Sequence, residues 1–336
     1  MDHSTNPKAP ASAAAVWAAL LTLYVVWGST YLGILFAIET VPPYVMGAIR
    51  FALAGSGLLL WSFIRNPRSR PSVREVRDAA IVGAVLLGGA QGLVAWGEQT
   101  IPSGIAALLI ALLPAWLVVL GRIFVGERVS RPVALGIVIG LVGVAILAGP
   151  WERTGRLEVA GLVALLASPI LWAAGSIFAA HRAVRPTDQV RSLAIQMLSG
   201  GGVMVVIAVL VGDFARFDPA AVSDRSLLAL LYLVLVGSLV GYSAYIWLLA
   251  NAPLAKVGTY AYVNPVVAFA LGAALASEPV TPRIVAAAGV ILFAVALIVT
   301  ARGRSARVEP EEAAGGDLRP AQPAGAPAPG SASPSP

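Results

Sequence analysis

A succession of long apolar segments limits what this chain can fold into. Ten stretches of about 20 mainly apolar residues, the length that crosses a bilayer, follow one another with short loops between them. Charged residues are only 12% of the 336 residues, and the mean hydropathy is +0.83, whereas soluble domains carry roughly 25% charged residues. Because lipid offers no hydrogen bonds to the backbone, each segment must be a helix. The sequence therefore predicts an all-α membrane protein with ten transmembrane helices.

The segments and tails divide the chain. The predicted spans are residues 14–37, 43–64, 79–97, 102–124, 132–149, 157–180, 190–212, 226–250, 255–276 and 282–301. The first span is of full length and lacks a cleavage site, so it is interpreted as a helix and not as a removed signal peptide. Residues 1–13 form an amino-terminal tail. Residues 302–336 form a second tail, which is predicted to be disordered because Glu309–Pro336 is rich in Pro, Ala, Gly and Ser.

Positive charge in the loops predicts the orientation. The loops after the even-numbered spans hold twelve Lys and Arg residues, and the loops after the odd-numbered spans hold five. Cytoplasmic loops are the richer in these residues, so both termini are expected in the cytoplasm. An even number of spans independently requires the two termini to share one side of the membrane. The prediction is a multi-pass protein of a bacterial inner (plasma) membrane. The net charge of +6 does not indicate nucleic-acid binding, because the arginines lie between apolar segments.

The two halves of the chain resemble each other. A shift of 151 residues superimposes Trp96 on Trp247, Pro102 on Pro253, Pro114 on Pro265 and Glu127 on Glu278. Each unit contains five spans, an odd number, so the second unit must enter the membrane from the opposite side. The sequence thus predicts two inverted five-helix repeats, residues 14–149 and 150–301. Inverted repeats are typical of secondary transporters, whose substrate site lies near the midplane between the halves.

Four short motifs carry a family resemblance. They are Trp27-Gly28-Ser29-Thr30-Tyr31, Arg50-Phe51, Pro102-Ser103-Gly104-Ile105-Ala106-Ala107, and Tyr260-Ala261-Tyr262-Val263-Asn264-Pro265 with Gly272. With these motifs in order, the chain resembles the drug/metabolite transporter superfamily, specifically its EamA-domain exporters, from about residue 14 to 301. The resemblance implies two EamA domains around a central cavity and export of amino acids, metabolites or drugs. The superfamily also contains sugar and nucleotide-sugar carriers, so the substrate stays open.

Arg50 is the most informative charge within a span, because ionisable groups in lipid are costly and usually functional. It could anchor a substrate carboxylate, or pair with an outer acid such as Glu98 as part of a gate. Alternatively, it is a structural cation satisfied by helix-end carbonyls. Gln196 occupies the equivalent position in the second repeat, so this charge belongs to one half only.

Two prolines within spans suggest hinges. Pro114 and Pro265 each remove one backbone hydrogen bond. They occupy equivalent positions in the two repeats, so both halves retain this proline. They could open a polar cavity or act as hinges, or they could be kinks that neighbouring helices tolerate. Asn264 precedes Pro265, and its amide is expected to face the cavity.

Aromatic and neutral polar side chains complete the predicted site. Aromatic rings in corresponding spans of the two halves could line a pocket, or belong to the aromatic belt at the membrane interface. The predicted substrate-binding residues are Trp27, Ser29, Tyr31, Arg50, Gln91, Trp96, Trp172, Tyr245, Tyr262 and Asn264. Further aromatic candidates are Tyr242 and Tyr260, and further neutral hydrogen-bonding groups are Thr30 and Ser176. Glu127 and Glu278 are expected to anchor loops or helix ends. The spacings Gly88-x-x-x-Gly92 and Gly136-x-x-x-Gly140 predict close helix packing.

Other functional classes find little support in the residues. The only histidines, His3 and His181, lie outside the predicted span cores, and cysteine is absent. The sequence therefore predicts no catalytic residue, metal site or cofactor, and no enzyme. No phosphate-binding loop indicates ATP hydrolysis, and no charged ring or filter indicates a channel. Transport is expected to be facilitated diffusion, or exchange weakly coupled to protons through Glu98. The expected partners are a small-molecule substrate and the lipid bilayer, with a monomer or homodimer as the assembly.

Overall fold

The protein is built of long apolar helices. The computed structural model describes residues 12–127, 129–148, 157–252 and 254–315, and these residues form helices and connecting loops without a strand. Nine of the described helices are long and apolar enough to cross a membrane, and a tenth apolar helix is shorter. In chain order they are α1 Ala13–Ala37, α2 Pro43–Arg65, α3 Val73–Gly97, α4 Ser103–Phe124, α5 Arg131–Ala148, α6 Val159–His181, α7 Gln189–Leu210, α8 Asp224–Leu248, α9 Tyr260–Leu275 and α10 Pro282–Gly315.

Short helical turns occupy the longer connections. They are Asp213–Arg216 and Pro219–Ala221 between α7 and α8, and Leu254–Val257 before α9. Large apolar side chains on the outer surface, such as Leu135, Val138 and Leu141 of α5, are more than half exposed. A surface of this kind fits lipid and not water. The prediction of an all-helical membrane protein is confirmed.

Three helix boundaries differ from the prediction by five residues or more. Helix α3 begins at Val73 and not at residue 79, because Ser72 and Glu75 form a capping box around its polar first turn. Helix α9 begins five residues later than predicted, at Tyr260. Helix α10 runs through Gly315, so residues 302–315 of the tail predicted to be disordered are helical. The remainder of that tail and residues 1–11 lie outside the described residues.

Both repeats interrupt their fourth helix. Helix α4 consists of Ser103–Ile110 and Leu113–Phe124, joined by a turn, and Pro114 lies in the first turn of the second piece. In the second repeat, a turn separates Leu254–Val257 from α9, and Pro265 lies inside α9. Discontinuous helices near the midplane free backbone groups for substrates or ions.

The third helix of each repeat contains a π-helical segment at an equivalent place. It covers Ala84–Ala90 in α3 and Leu233–Val240 in α8. Such wide turns occur often at functional sites.

Hydrogen bonds show that consecutive helices alternate in direction. We call the side at which α1 begins the near face and the opposite side the far face. At the far face, Ser226 Oγ of α8 donates to the carbonyl of Phe36 in α1 at 2.8 Å. At the near face, Ser62 Oγ of α2 donates to Asp188 before α7 at 3.0 Å. Helix α1 therefore starts at the near face and its counterpart α6 at the far face, so the two repeats are inverted.

Helix packing follows the same pseudo-twofold symmetry. Exchanging the repeats maps the packed pairs α2–α7, α4–α9 and α5–α10 onto themselves. It maps α1–α8 onto α6–α3, and α1–α9 onto α6–α4, and all of these pairs are in contact. Each half therefore completes its packing against the other, and a space between them is bounded by both.

Glycines allow the closest approaches between helices. A Cβ atom at Gly136 would lie 2.6 Å from Ile298, and one at Gly140 would lie 3.1 Å from Leu112. The predicted close packing through the Gly136-x-x-x-Gly140 spacing is confirmed, and it joins α5 to α10 and α4. Helices α1 and α9 approach just as closely at Gly28, where a Cβ would lie 2.6 Å from that of Val267. Small residues serve this purpose in lipid, where close packing replaces hydrophobic attraction between helices.

Candidate functional site

A cavity lies between the two halves. It contains about 680 Å³ of empty space, part of it open to the surroundings. Helices α1 to α4 contribute from the first repeat, and α6, α8 and α9 from the second. Its lining residues are Trp27, Thr30, Tyr31, Ile34, Arg50, Gln91, Val94, Ile110, Leu113, Ser168, Pro169, Trp172, Tyr242, Tyr260 and Asn264.

The structure brings six of the ten predicted binding residues together around this cavity. They are Trp27, Tyr31, Arg50, Gln91, Trp172 and Asn264. They come from five different helices, so only the tertiary fold assembles them. Their role in binding stays a prediction.

The other four predicted residues lie elsewhere. Ser29 pairs with the hydroxyl of Tyr232 at 2.5 Å, on a side of α1 away from the cavity lining. Tyr245 packs behind the lining, with its ring 5.1 Å from that of Trp27. Tyr262 lies beside Thr259 at the near end of α9.

Trp96 lies at the far end of α3 and packs against the hydrophobic core. This placement near a helix end fits the alternative of an interfacial aromatic residue.

Sequence reasoning missed several lining residues. Two of them are Ser168 and Pro169 of α6. Ser168 Oγ donates at 2.9 Å to the carbonyl of Ala90, which ends the π-helical segment of α3. A proline inside α6 was a detectable signal, but it has no counterpart in α1. Ile34, Val94 and Leu113 carried no signal, because apolar residues facing lipid and apolar residues facing the cavity look alike in sequence.

Arg50 brings a buried positive charge to the cavity. Arg50 is only 4% exposed. Its Nε donates to Ser238 Oγ, in the π-helical segment of α8, at 3.0 Å. The partner is thus a hydroxyl and not the helix-end carbonyl of the structural alternative. The ion pairs found among the described residues involve Arg77, Arg216 and Arg225. A guanidinium has five N–H donors, so Arg50 keeps donors available for an anion.

Aromatic rings form the wall toward the near face. The Trp27 ring of α1 contacts Tyr242 of α8 at 5.4 Å and Tyr260 of α9 at 5.3 Å, both edge to face. Ring pairs in this geometry attract one another beyond their shared burial. Rings from three helices can therefore hold a flat or apolar solute without losing their own order.

Neutral polar groups complement the charge. Asn264 is 7% exposed, and its Oδ1 has no hydrogen-bond partner among the described residues. Gln91 follows the π-helical segment of α3 and lines the same cavity. Buried amides usually find partners, so these groups are suited to a polar solute in the cavity.

The cavity is closed toward the far face. Ile34 and Val94 at that end are 3% and 4% exposed, and the far piece of α4 packs against α1 and α9. The near piece of α4 packs against α5, α6 and α10. Trp172 and Tyr260, on the near-face side of the lining, are partly exposed. The open part of the cavity therefore lies toward the near face.

Glu278 confirms the expected role of a helix-end anchor. Its Oε1 accepts from the N–H of Ser103 at 2.6 Å and its Oε2 from that of Gly104 at 3.1 Å. These are orphan donors at the amino terminus of α4. The carboxylate of the second repeat thus caps a helix of the first.

Inverted five-helix repeats, with a cavity between them that helices of both halves line, are the architecture of a membrane transport protein. The family model described as the EamA-like transporter family matches residues 14–149 and again residues 159–300. The chain therefore belongs to the EamA-like transporter family, and its two matches correspond to the two repeats.

Known proteins similar to this chain are transporters by name. It is 36% identical over 284 residues to the uncharacterised inner membrane transporter YedA of Escherichia coli K12, covering 84% of this chain and 90% of that protein. It is 25% identical to a probable terminal-alkyne amino-acid exporter of Streptantibioticus cattleyicolor, covering 88% and 96%. It is 24% identical to a probable amino-acid metabolite efflux pump of Salmonella typhimurium, covering 86% and 96%.

A solved crystal structure has the same fold. The TM-score is 0.60 at 18% sequence identity, and the match covers 87% of this chain and 99% of that one. At this identity the likeness concerns the fold alone.

Proposed function

We propose that the protein exports small organic solutes that combine a carboxylate with an apolar or aromatic body, such as amino acids and related metabolites. The observation that carries the proposal is Arg50, whose buried charge faces a cavity walled by aromatic rings. A carboxylate would form charge-assisted, bidentate hydrogen bonds with the guanidinium. The body of the solute would pack against Trp27 and Trp172.

The names of two relatives support this substrate class. One is a probable amino-acid exporter and the other a probable amino-acid metabolite efflux pump. All amino acids share the carboxylate, whereas their side chains differ. A fixed cation with adaptable aromatic walls suits such a mixed set of solutes, and a neutral sugar would leave the cation without a partner.

The proposed mechanism is alternating access. The observed state is closed at the far face and open toward the near face, which we assign to the cytoplasm from the loop charges. Inverted repeats provide the opposite state if the two halves exchange conformations. The interruptions in the fourth helices, beside Pro114 and before α9, are the proposed hinges. Solute would then enter from the cytoplasm and leave at the far face.

The test is exchange of labelled solutes by the purified protein in proteoliposomes. Preloaded vesicles take up labelled amino acids, and competition is measured with each amino acid and with its uncharged amide. We expect the free carboxylates to compete and the amides to fail. Equal competition by acids and amides, or exchange of neutral sugars alone, would overturn the proposed substrate class.

A metabolite and toxicity-resistance screen in an expressing bacterium would then name the individual solute. Lower intracellular levels of one carboxylate-bearing compound are the expected result.

A further inference from the structure

A buried acid that solute binding does not explain lies at the far end of α3, outside the lining of the cavity. Glu98 follows the last residue of α3 and is 1% exposed, and neither carboxyl oxygen has a hydrogen-bond partner among the described residues. An ionised carboxylate without partners is very costly to bury. Burial in this state therefore favours the neutral, protonated acid.

The groups around Glu98 act in opposite directions. Arg50 of α2 is near enough to attract a negative charge, whereas Glu278 of the α9–α10 loop repels one. Tyr31 of α1 is also within electrostatic range. Glu158 caps the start of α6, and its carboxylate is turned to that helix, where it accepts from the N–H of Gly161 at 2.5 Å. Hydrogen bonds to backbone N–H groups lower the pKa of Glu158, so that acid stays ionised.

Glu278 is also the group that fastens the far face. Its carboxylate holds the N–H groups of Ser103 and Gly104, and so ties the second repeat to α4 of the first. This contact, which we call the far latch, requires Gly272, because a Cβ there would overlap the folded-back carboxylate. Whatever weakens the far latch favours opening of the cavity to the far side.

We propose that Glu98 is a proton-binding site that controls the far latch. With the proton bound, Glu98 is neutral and Glu278 stays on the amino terminus of α4. When the proton leaves to the water of the far compartment, the new negative charge repels Glu278 and is attracted to Arg50, and the far latch opens. Leu249 occupies the position in the second repeat that corresponds to Glu98. An acid is therefore present at this position in the first repeat only, which supports proton control at the far face alone.

This inference goes beyond the proposed substrate class, because proton control of the far latch does not depend on which solute occupies the cavity. It gives the transporter a link between the proton concentration outside the far face and the exit of solute.

The test uses the absence of cysteine from the chain. Val94→Cys places a single thiol on the buried, far-end lining. Sealed membrane vesicles are treated with a membrane-impermeant maleimide across a series of external pH values, without solute. Ala220→Cys, in an exposed far-face loop, reports the vesicle orientation and corrects for the pH dependence of thiol reactivity.

We expect corrected labelling of Val94→Cys to rise about tenfold from acidic to alkaline external pH. A tenfold change corresponds to about 1.4 kcal/mol of repulsion between the two carboxylates. Adding Glu98→Gln should keep labelling low at every pH. Adding Glu278→Gln should make it high at every pH, because the far latch is weakened.

Glu98→Asp is the control for misfolding of the Glu98→Gln variant. It retains an acid at this position, so labelling should still rise with pH. A pH-dependent rise that survives Glu98→Gln overturns the proposal, as does a Glu278→Gln profile equal to that of the parent. Since no solute is present, failure of the carboxylate substrate class would leave this result unchanged.

Discussion

Replacing Arg50 with Gln tests the charge on which the proposed substrate class depends. Truncating one partner of a buried, hydrogen-bonded charge pair costs about 2–5 kcal/mol. Taking about 3 kcal/mol, and about 1.4 kcal/mol per factor of ten, the affinity for a carboxylate should fall about 150-fold. The cost to folding should be no larger. Among the described residues Arg50 has one hydrogen bond, to Ser238 Oγ, and a hydrogen bond to a charged group contributes about 1.5–3 kcal/mol, while the variant also removes a charge that is costly to bury.

The assay compares an amino acid with its amide in proteoliposome exchange. In the parent protein the acid should bind far better than the amide. In Arg50→Gln that discrimination should almost vanish, because the acid loses affinity and the amide does not. Arg50→Lys should be intermediate, since lysine keeps the charge but cannot form the bidentate contact.

Gln196→Ala is the matched control. Gln196 is the equivalent residue of the second repeat, and its amide donates to Ser192 on the same helix at 3.3 Å. This variant should transport as the parent does. If Arg50→Gln retains full discrimination between acid and amide, Arg50 does not bind the carboxylate. If it loses both solutes equally while staying folded, the role of Arg50 is structural.

Three further perturbations have distinct expected outcomes. Trp27→Ala and Asn264→Ala should impair export while the protein stays inserted and folded, as judged by efflux and by monodisperse purification; normal efflux from both would refute their cavity role. Gly28→Val should lower thermal stability in detergent by separating α1 from α9, and an unchanged melting temperature would contradict the close approach. Arg191→Ala should be strongly destabilising, because this buried side chain donates to carbonyls after α2, whereas Arg182→Ala on the exposed surface should melt as the parent does.

Much of the helical framework could be predicted because hydropathy and loop length respond directly to the bilayer. The boundaries that were missed have local causes. The first turn of α3 is polar, so hydropathy alone places the start of the helix too late. The capping box of Ser72 and Glu75 stabilises this turn. The turn before α9 falls at Gly258–Thr259. A hydropathy window averages over such a short signal, because the residues on both sides are mainly apolar.

The candidate site was less predictable than the fold. Ser29 and Thr30 are neighbours of similar chemistry, yet Ser29 pairs with Tyr232 and Thr30 lines the cavity. A helix in lipid is apolar on all sides, so it lacks the polar stripe that would show which face meets the protein interior. The burial of Glu98 likewise depends on helices distant in sequence.

The amino-acid sequence by itself determined the ten spans, their alternation and the duplication that inverts the second half. It did so because a bilayer admits only hydrogen-bonded helices of a fixed length, and an odd-numbered repeat must then reverse direction. The tertiary structure alone decided which side chains share the cavity, which face is closed, and that Glu278 caps α4. Those features depend on how helices rotate and approach one another, and side-chain packing between the repeats sets both.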